Sequence, residues 1–294
     1  EIREALELGL KEAKRLGSEL LLATDPDCDR VGIAVKSGDD FVLLSGNEVG
    51  MLLLDYICKR RLALKRMPKN PLVVKTIVTI DMAKRIAADY GVQVIDVLTG
   101  FKFIGEQIGF LEKKGQEDRY ILGFEESYGY LTGSYVRDKD AVNASLMICE
   151  MFAYYKAKGQ SLLDVLNGLY TKYGYCLNTL HSYEFEGASG FRKMQDIMEK
   201  LRDNCPKTWM RRKIISVSDY QMSITRYNDG RVEKIDLPVS NVLKFELEDN
   251  LSVVVRPSGT EPKLKMYMSV SAGSREEAGD LERHFVKELE AMFA

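Results

Sequence analysis

The chain opens on apolar Leu6, Leu10, Ala13 and Leu16 at helical spacing, and Gly17 supplies a stop, which predicts a helix over 1–17. Two apolar runs follow, Leu20 to Ala23 and Val31 to Val35, and Ser37-Gly-Asp-Asp turns the chain into Phe41 to Leu44. A helix over about 47–60 ends in Lys59-Arg60-Arg61, and Pro68 and Pro71 bracket a linker. From Leu72 the pattern alternates. Leu72-Val-Val-Lys-Thr reads as a buried strand, 81–90 as a helix closed by Gly91, and Val92 to Val97 as a strand. A helix over 103–114, a strand Tyr120 to Phe124, and helices over 140–158 and 161–173 complete the series. Strands alternating with helices predict a parallel α/β sheet.

From about 178 the grammar changes. Ser182 to Phe185 reads as a strand and 189–204 as a helix. The segments 213–227, 243–248, 251–256 and 264–271 read as strands, with Glu248-Asp-Asn as a hairpin turn. An amphipathic helix over 275–293 closes the chain. Strands joined by hairpins with helices at the ends predict an α+β unit.

Composition adds limits. The 294 residues are 45% apolar and 29% charged, enough for about two globular domains with true cores. A net charge of −2 gives no sign of a nucleic-acid binder, and no run approaches the roughly 20 apolar residues of a membrane span. Cysteines 28, 58, 149, 176 and 205 fit neither a disulfide framework nor zinc, which points to a reducing cytoplasm. The chain begins at Glu1 without a signal-peptide pattern, and a piece cut from a longer protein accounts for that start.

Three polar constellations break the apolar pattern. In Asp25-Pro-Asp-Cys-Asp-Arg30, three alternating carboxylates follow a buried strand, and a curled loop would converge them on one hard divalent cation. The same pattern also describes a solvated acidic turn. An EF-hand is excluded, because Arg30 and Lys36 stand where Gly and Glu are needed. Arg30 places a cation beside the loop, able to meet an anionic group.

The second constellation, Gly123-Phe-Glu-Glu-Ser-Tyr-Gly129, sits at the C-terminal end of a strand, where open α/β sheets bind ligands. Carboxylate and hydroxyl groups suit sugar hydroxyls, although a plain polar turn would look alike. Ser127 is no hydrolase nucleophile, since Glu125 holds the first glycine position of G-x-S-x-G. The third, Arg256-Pro-Ser-Gly-Thr-Glu-Pro262, followed by Lys263 and Lys265, offers a guanidinium fork, hydroxyls and loosened backbone N–H groups to a phosphate. Read alone, it is equally a Pro/Gly/Ser turn.

In this order the three loops resemble the signatures of the α-D-phosphohexomutases, a four-domain family, over nearly the whole chain. The resemblance implies the end of a metal-binding domain 2 over 1–70, a parallel mixed-sheet α/β domain 3 over 71–177 that binds sugar, and an α+β C-terminal domain 4 over 178–294 that binds phosphate. It implies Mg²⁺ on Asp25, Asp27 and Asp29, with Arg30 at the catalytic centre. Glu125 and Ser127 would bind ring hydroxyls, and Arg256, Ser258, Gly259 and Thr260 the non-reacting phosphate. Thr99-Gly100-Phe-Lys102-Phe103 is similar to the family's specificity loop, with Lys102 a candidate acid/base or phosphate ligand. Arg137 and Lys139 resemble a further family stretch near the site.

The family's catalytic Ser-His-Asn does not occur here, and His181 and His284 read as structural or surface residues. The resemblance therefore implies a mutase of hexose 1- and 6-phosphates, glucose before mannose, working through a phosphoserine and a hexose 1,6-bisphosphate. The phosphoserine would belong to an N-terminal domain outside these 294 residues, which by themselves would be inactive. A non-catalytic sugar-phosphate binder is the alternative.

Overall fold

A computed structural model describes residues 2–185, 187–209, 211–258 and 262–293. Two units divide it, Glu1–Tyr173 and Gly174–Ala294.

The first unit begins with helix α1 (Arg3–Leu16), which buries Leu6, Leu10 and Ala13 against Ala34 and Phe41. Gly17, at φ 67°, ends it in the left-handed region that glycine enters without steric cost. Strands β1 (Leu20–Thr24), β2 (Val31–Ser37) and β3 (Asp40–Leu44) form an antiparallel sheet in that order. Thr24 lies opposite Val31, so Asp25 to Arg30 is the hairpin connection between β1 and β2.

Helix α2 (Gly46–Ala63) is enclosed nearly all round and buries every residue from Gly46 to Cys58 except the half-buried Glu48. A capping box starts it. The Glu48 N–H donates to Ser45 Oγ at 3.3 Å, and the Ser45 N–H to Glu48 Oε2 at 2.8 Å.

The alternating pattern then gives β4 (Leu72–Thr76), α3 (Met82–Asp89), β5 (Gln93–Val97), α4 (Phe101–Glu112), β6 (Tyr120–Phe124), β7 (Tyr130–Leu131), α5 (Ala141–Lys156) and α6 (Leu162–Tyr173). The sheet order is β5-β4-β6-β7, with β4 parallel to β5 and β6, and β7 antiparallel to β6. On one face α4 packs Phe101, Ile104, Ile108 and Leu111 on Leu72, Val74 and Val97. On the other, α2 packs with α3, α5 and α6. The sheet is thus parallel with one antiparallel edge, the mixed sheet that the resemblance implies, closed by the two-residue strand β7.

The second unit holds β8 (Tyr175–Glu184), α7 (Gly187–Asp203), β9 (Thr208–Trp209), β10 (Arg212–Asp219), β11 (Ile224–Tyr227), β12 (Val232–Lys234), β13 (Leu243–Leu247), β14 (Leu251–Pro257), β15 (Lys263–Ala272) and α8 (Arg275–Phe293). Its antiparallel sheet runs β12-β11-β10-β13-β14-β15-β8, with β9 paired to β10. One core unites Met194, Ile197, Met198 and Leu201 of α7, Phe285 and Leu289 of α8, and the inward residues of β13, β14 and β15. The segment 213–227, read as one strand, is a hairpin broken at Ser223, which sits at φ 56°.

Candidate functional site

The hairpin loop after β1 folds on its own first carboxylate. Asp25 Oδ1 accepts from the N–H groups of Asp29 (3.0 Å) and Arg30 (2.9 Å). The Arg30 N–H is the chief cause holding the Asp25 carboxyl below its ordinary range. One carboxylate oxygen from each of Asp25, Asp27 and Asp29 lies within 4.8 Å of the others, a spacing that suits a single cation. Cys28, at φ 56°, makes the tight bend that turns these side chains together.

Two further segments hold this loop in place. Val31 N–H donates to Tyr128 O at 3.2 Å, and Ala141 N–H to Cys28 O at 3.2 Å. The second contact is rigid because Asp140 caps α5, its Oδ1 accepting from Val142 (2.8 Å) and Asn143 (3.0 Å). Lys139, one residue upstream, pairs its ammonium with Asp29 Oδ2. Arg30 Nε lies 3.8 Å from Asp29 Oδ1.

Lys139 also reaches the sugar-loop candidate. A Cβ on Gly129 would lie 2.6 Å from Lys139 Cδ and 3.5 Å from Glu125 Oε2, so the glycine leaves room for the lysine stem to cross. Glu125, at the end of β6, is 5% exposed, and its Oε1 accepts the Gly100 N–H at 3.0 Å. Burial pushes its carboxyl up to about 7, and the charge of Glu126 adds to this. Lys139, the Gly100 N–H and Arg30 pull the other way.

Gly100 stands at φ 119° at the start of α4, and this conformation aims its N–H at Glu125. Beside it, the buried hydroxyl of Thr99 has no partner among the described residues. The first unit therefore brings Asp25, Asp27, Asp29, Arg30, Gly100 and Glu125 into one linked arrangement through Lys139, with Ser127 half-buried on the same loop as Glu125. Lys102 does not join it by any bond among the described residues. It is exposed on the first turn of α4, with its ammonium 4.9 Å from the Phe103 ring centre. Arg137 turns away and pairs with Glu112.

Sequence reasoning missed a buried polar layer under this arrangement. Lys75 is fully buried, paired with Asp81 (3.1 Å) and Asp96 (3.0 Å) and bonded to Thr79 O (2.9 Å). The hydroxyls of Thr76 and Thr79 each donate to Glu126 Oε2 at 3.2 Å. The signal was a lysine inside the apolar run Leu72-Val-Val-Lys-Thr.

In the second unit, Arg256 stands one residue before the end of β14, and its Nε is buried without a hydrogen-bond partner among the described residues. Ser258 N–H donates to Lys263 O at 2.7 Å and closes the base of the loop. Gly259 and Thr260 lie outside the described residues. His181 pairs with Glu282 at 2.6 Å, and His284 Nδ1 lies 2.7 Å from Asp280 O, so both histidines have structural partners. Among the described residues, no helix is long and apolar enough to cross a membrane.

Comparison with known proteins bears on what these loops can do. Residues 45–173 match the family description "Phosphoglucomutase/phosphomannomutase, alpha/beta/alpha domain III", and residues 206–288 match its C-terminal domain. A Staphylococcus haemolyticus phosphoglucomutase is 34% identical over 279 residues, covering 94% of this chain and 50% of that protein. A Staphylococcus aureus phosphoglucomutase is 35% identical over 272 residues, covering 92% and 48%. The chain thus spans about half the length of the curated relatives it matches.

Among solved structures, the open form of pp63/parafusin from Paramecium superposes with a TM-score of 0.66 at 18% identity, covering 98% of this chain and 48% of that one. A phosphoglucomutase/phosphomannomutase family protein from Burkholderia thailandensis gives 0.65 at 16% identity, covering 99% and 50%.

Proposed function

From the premise that the chain belongs to the phosphoglucomutase/phosphomannomutase family, we propose that it is part of a phosphohexomutase interconverting hexose 1-phosphate and hexose 6-phosphate. The route is a phosphoserine and a hexose 1,6-bisphosphate, and the protein works in the cytoplasm. Glucose is the favoured hexose, since the curated relatives are named phosphoglucomutases. In this reading 1–70 closes the metal-binding domain, 71–177 binds the sugar and 178–294 a phosphate.

The observation that carries the reading is the linkage of Asp29, Lys139, Glu125 and Gly100, which ties an acidic loop to a sugar-type loop. The acidic loop suits Mg²⁺: its three carboxylate oxygens share one small volume, while one Asp25 oxygen stays committed to backbone N–H groups. When bound there, the ion would offset negative charge on the transferring phosphoryl oxygens.

The remaining work falls to side chains. Arg30 and Lys139 offer positive charge to an anionic group. Glu125 titrates near neutrality, so it can accept from or donate to sugar hydroxyls. The unfilled hydroxyl of Thr99 and that of Ser127 add donors. Lys102, exposed at the head of α4, would meet a phosphate from solvent. In the second unit, Arg256, Ser258, Gly259 and Thr260 hold the phosphate that is not reacting. The sugar must bind in both orientations, so these groups recognise hydroxyls that are similar either way.

No Ser-His-Asn occurs in these 294 residues, so alone they should not turn over. A coupled assay showing robust glucose 6-phosphate formation would overturn that. Titration calorimetry with glucose 1,6-bisphosphate, mannose 1,6-bisphosphate and Mg²⁺ tests the binding claim. Saturable binding weakened by Arg256→Ala is expected. Binding indifferent to that change would remove the phosphate role from the β14 loop.

A further inference from the structure

In the second unit, α7 and α8 pack chiefly on β14, β15 and β8 rather than on the β10-β11-β12 end of the sheet. Val217 and Asp219 of β10 lie opposite Phe245 and Leu243, two core residues, so they share the helix-covered face of the sheet. Helix α7 ends at Asp203, and Cys205 and Pro206 just beyond it share a pocket lining with residues of β10 and β11. The pocket is a cavity of about 1050 Å³. Its floor is apolar: Val217 and Cys205 pack partly buried on the core, with Pro206 beside them.

Its charge is uneven. Arg202 is neutralised by the fully buried Asp219 at 3.0 Å and bonded to Asn241 at 2.7 Å. Lys207, Lys213 and Arg226 also line the cavity and are exposed. Among the described residues, none of these three side chains has an ion pair or a hydrogen bond. Asp203 is the one further carboxylate among the lining residues. Three cations without partners among the described residues thus line the same cavity as an apolar floor, in a chain whose net charge is −2. Cavities of roughly 300–1,000 Å³ are the size that takes small organic ligands, with a few charged groups fixing orientation.

We infer that this cavity is a second, non-catalytic binding site for a small organic polyanion of the nucleoside-phosphate class. The phosphates lie on Lys207, Lys213 and Arg226, and the flat apolar part lies on Val217, Cys205 and Pro206. The inorganic anion alone would use the rim and leave the floor bare, whereas a neutral apolar molecule would leave the cations unused. The Arg256 loop is separate, since it ends β14, two strands away from β10 in the sheet order.

ATP is the probe, titrated calorimetrically into the whole 294-residue chain at low salt without divalent ions. Saturable binding is expected, about tenfold or more weaker in Lys213→Glu/Arg226→Glu and weakened by added salt. Both residues are exposed, so the variant should keep its circular dichroism and melting temperature. Arg256→Ala should leave ATP binding unchanged, which distinguishes this site from the phosphate loop. No saturable binding, or binding that the charge-reversed variant retains, would overturn the inference. So would binding lost in Arg256→Ala. Tripolyphosphate binding as tightly as ATP would remove the apolar floor from the site and overturn the nucleoside assignment.

Discussion

Glu125 is a carboxyl buried at a strand end, raised from an ordinary 4.5 to about 7. A carboxyl with a raised folded-state value favours the protonated form in the fold, so the folded chain binds more protons than the unfolded chain between those two values. Stability should therefore fall as pH rises from about 4.5 to about 7, by at most about 3 kcal/mol from this group. Glu125→Gln should flatten that part of the profile in urea denaturation at a series of pH values. An unchanged slope would mean that Glu125 is already ionised throughout.

Gly46 supplies a steric test at the same scale. A Cβ there would lie 2.2 Å from Glu126 O and 2.7 Å from Tyr128 N, both backbone atoms with little room to yield. Gly46→Ala should cost about 1–3 kcal/mol and displace the Glu125-to-Ser127 loop. Denaturation midpoints and amide shifts of that loop check the two effects. The aspartates, Glu125 and Arg256 could be singled out from sequence, because charge against apolar surroundings is visible one-dimensionally. The salt bridge from Lys139 to Asp29 was not visible, since it joins residues that only the fold makes neighbours.

Among elements, the helices were legible where a cap or a periodic apolar face marks them. Helix α2 shows why. Its start is written in Ser45-x-x-Glu48, both halves of which form. Ser45→Ala should cost about 1 kcal/mol, read as a lower thermal midpoint. Glu48 also accepts from Tyr170 of α6 at 3.1 Å, so Glu48→Ala should cost more than the cap alone. Equal losses would show that the Tyr170 bond contributes nothing.

Strands were less legible at the edges. β12 is exposed at all three positions, Val232, Glu233 and Lys234, and so carries no alternation of burial to detect. The hairpin Asp249-Asn250 was readable because both residues adopt φ near 60°, a conformation that Asn and Asp tolerate. The start of β8 escaped notice because Asn178, Thr179 and His181 are half-buried like Leu177, while Leu180 is exposed. Its pairing along the whole of β15, from Lys263 to Ala272, supplies the order that its own sequence lacks.

For the molecule as a whole, the two units differ in what organises them. The first needs crossover helices to join parallel strands, which the 3.6-to-2 alternation of periods announces in sequence. The second is built from antiparallel neighbours around one core, and its strand order follows no simple reading along the chain. Trp209, the only tryptophan, belongs to that core. Its ring lies 4.6 Å from Phe245 and 6.0 Å edge-on from Phe285, all within the second unit. A core closed by its own residues should form without the rest of the chain. Residues 174–294 expressed alone should therefore unfold cooperatively and keep a buried tryptophan emission. Since the first unit holds no tryptophan, that emission in the whole chain reports the second unit only. Matching spectra for the two proteins would establish the C-terminal unit as an independent folding unit. A red-shifted, non-cooperative fragment would show that the core around Trp209 depends on residues 1–173.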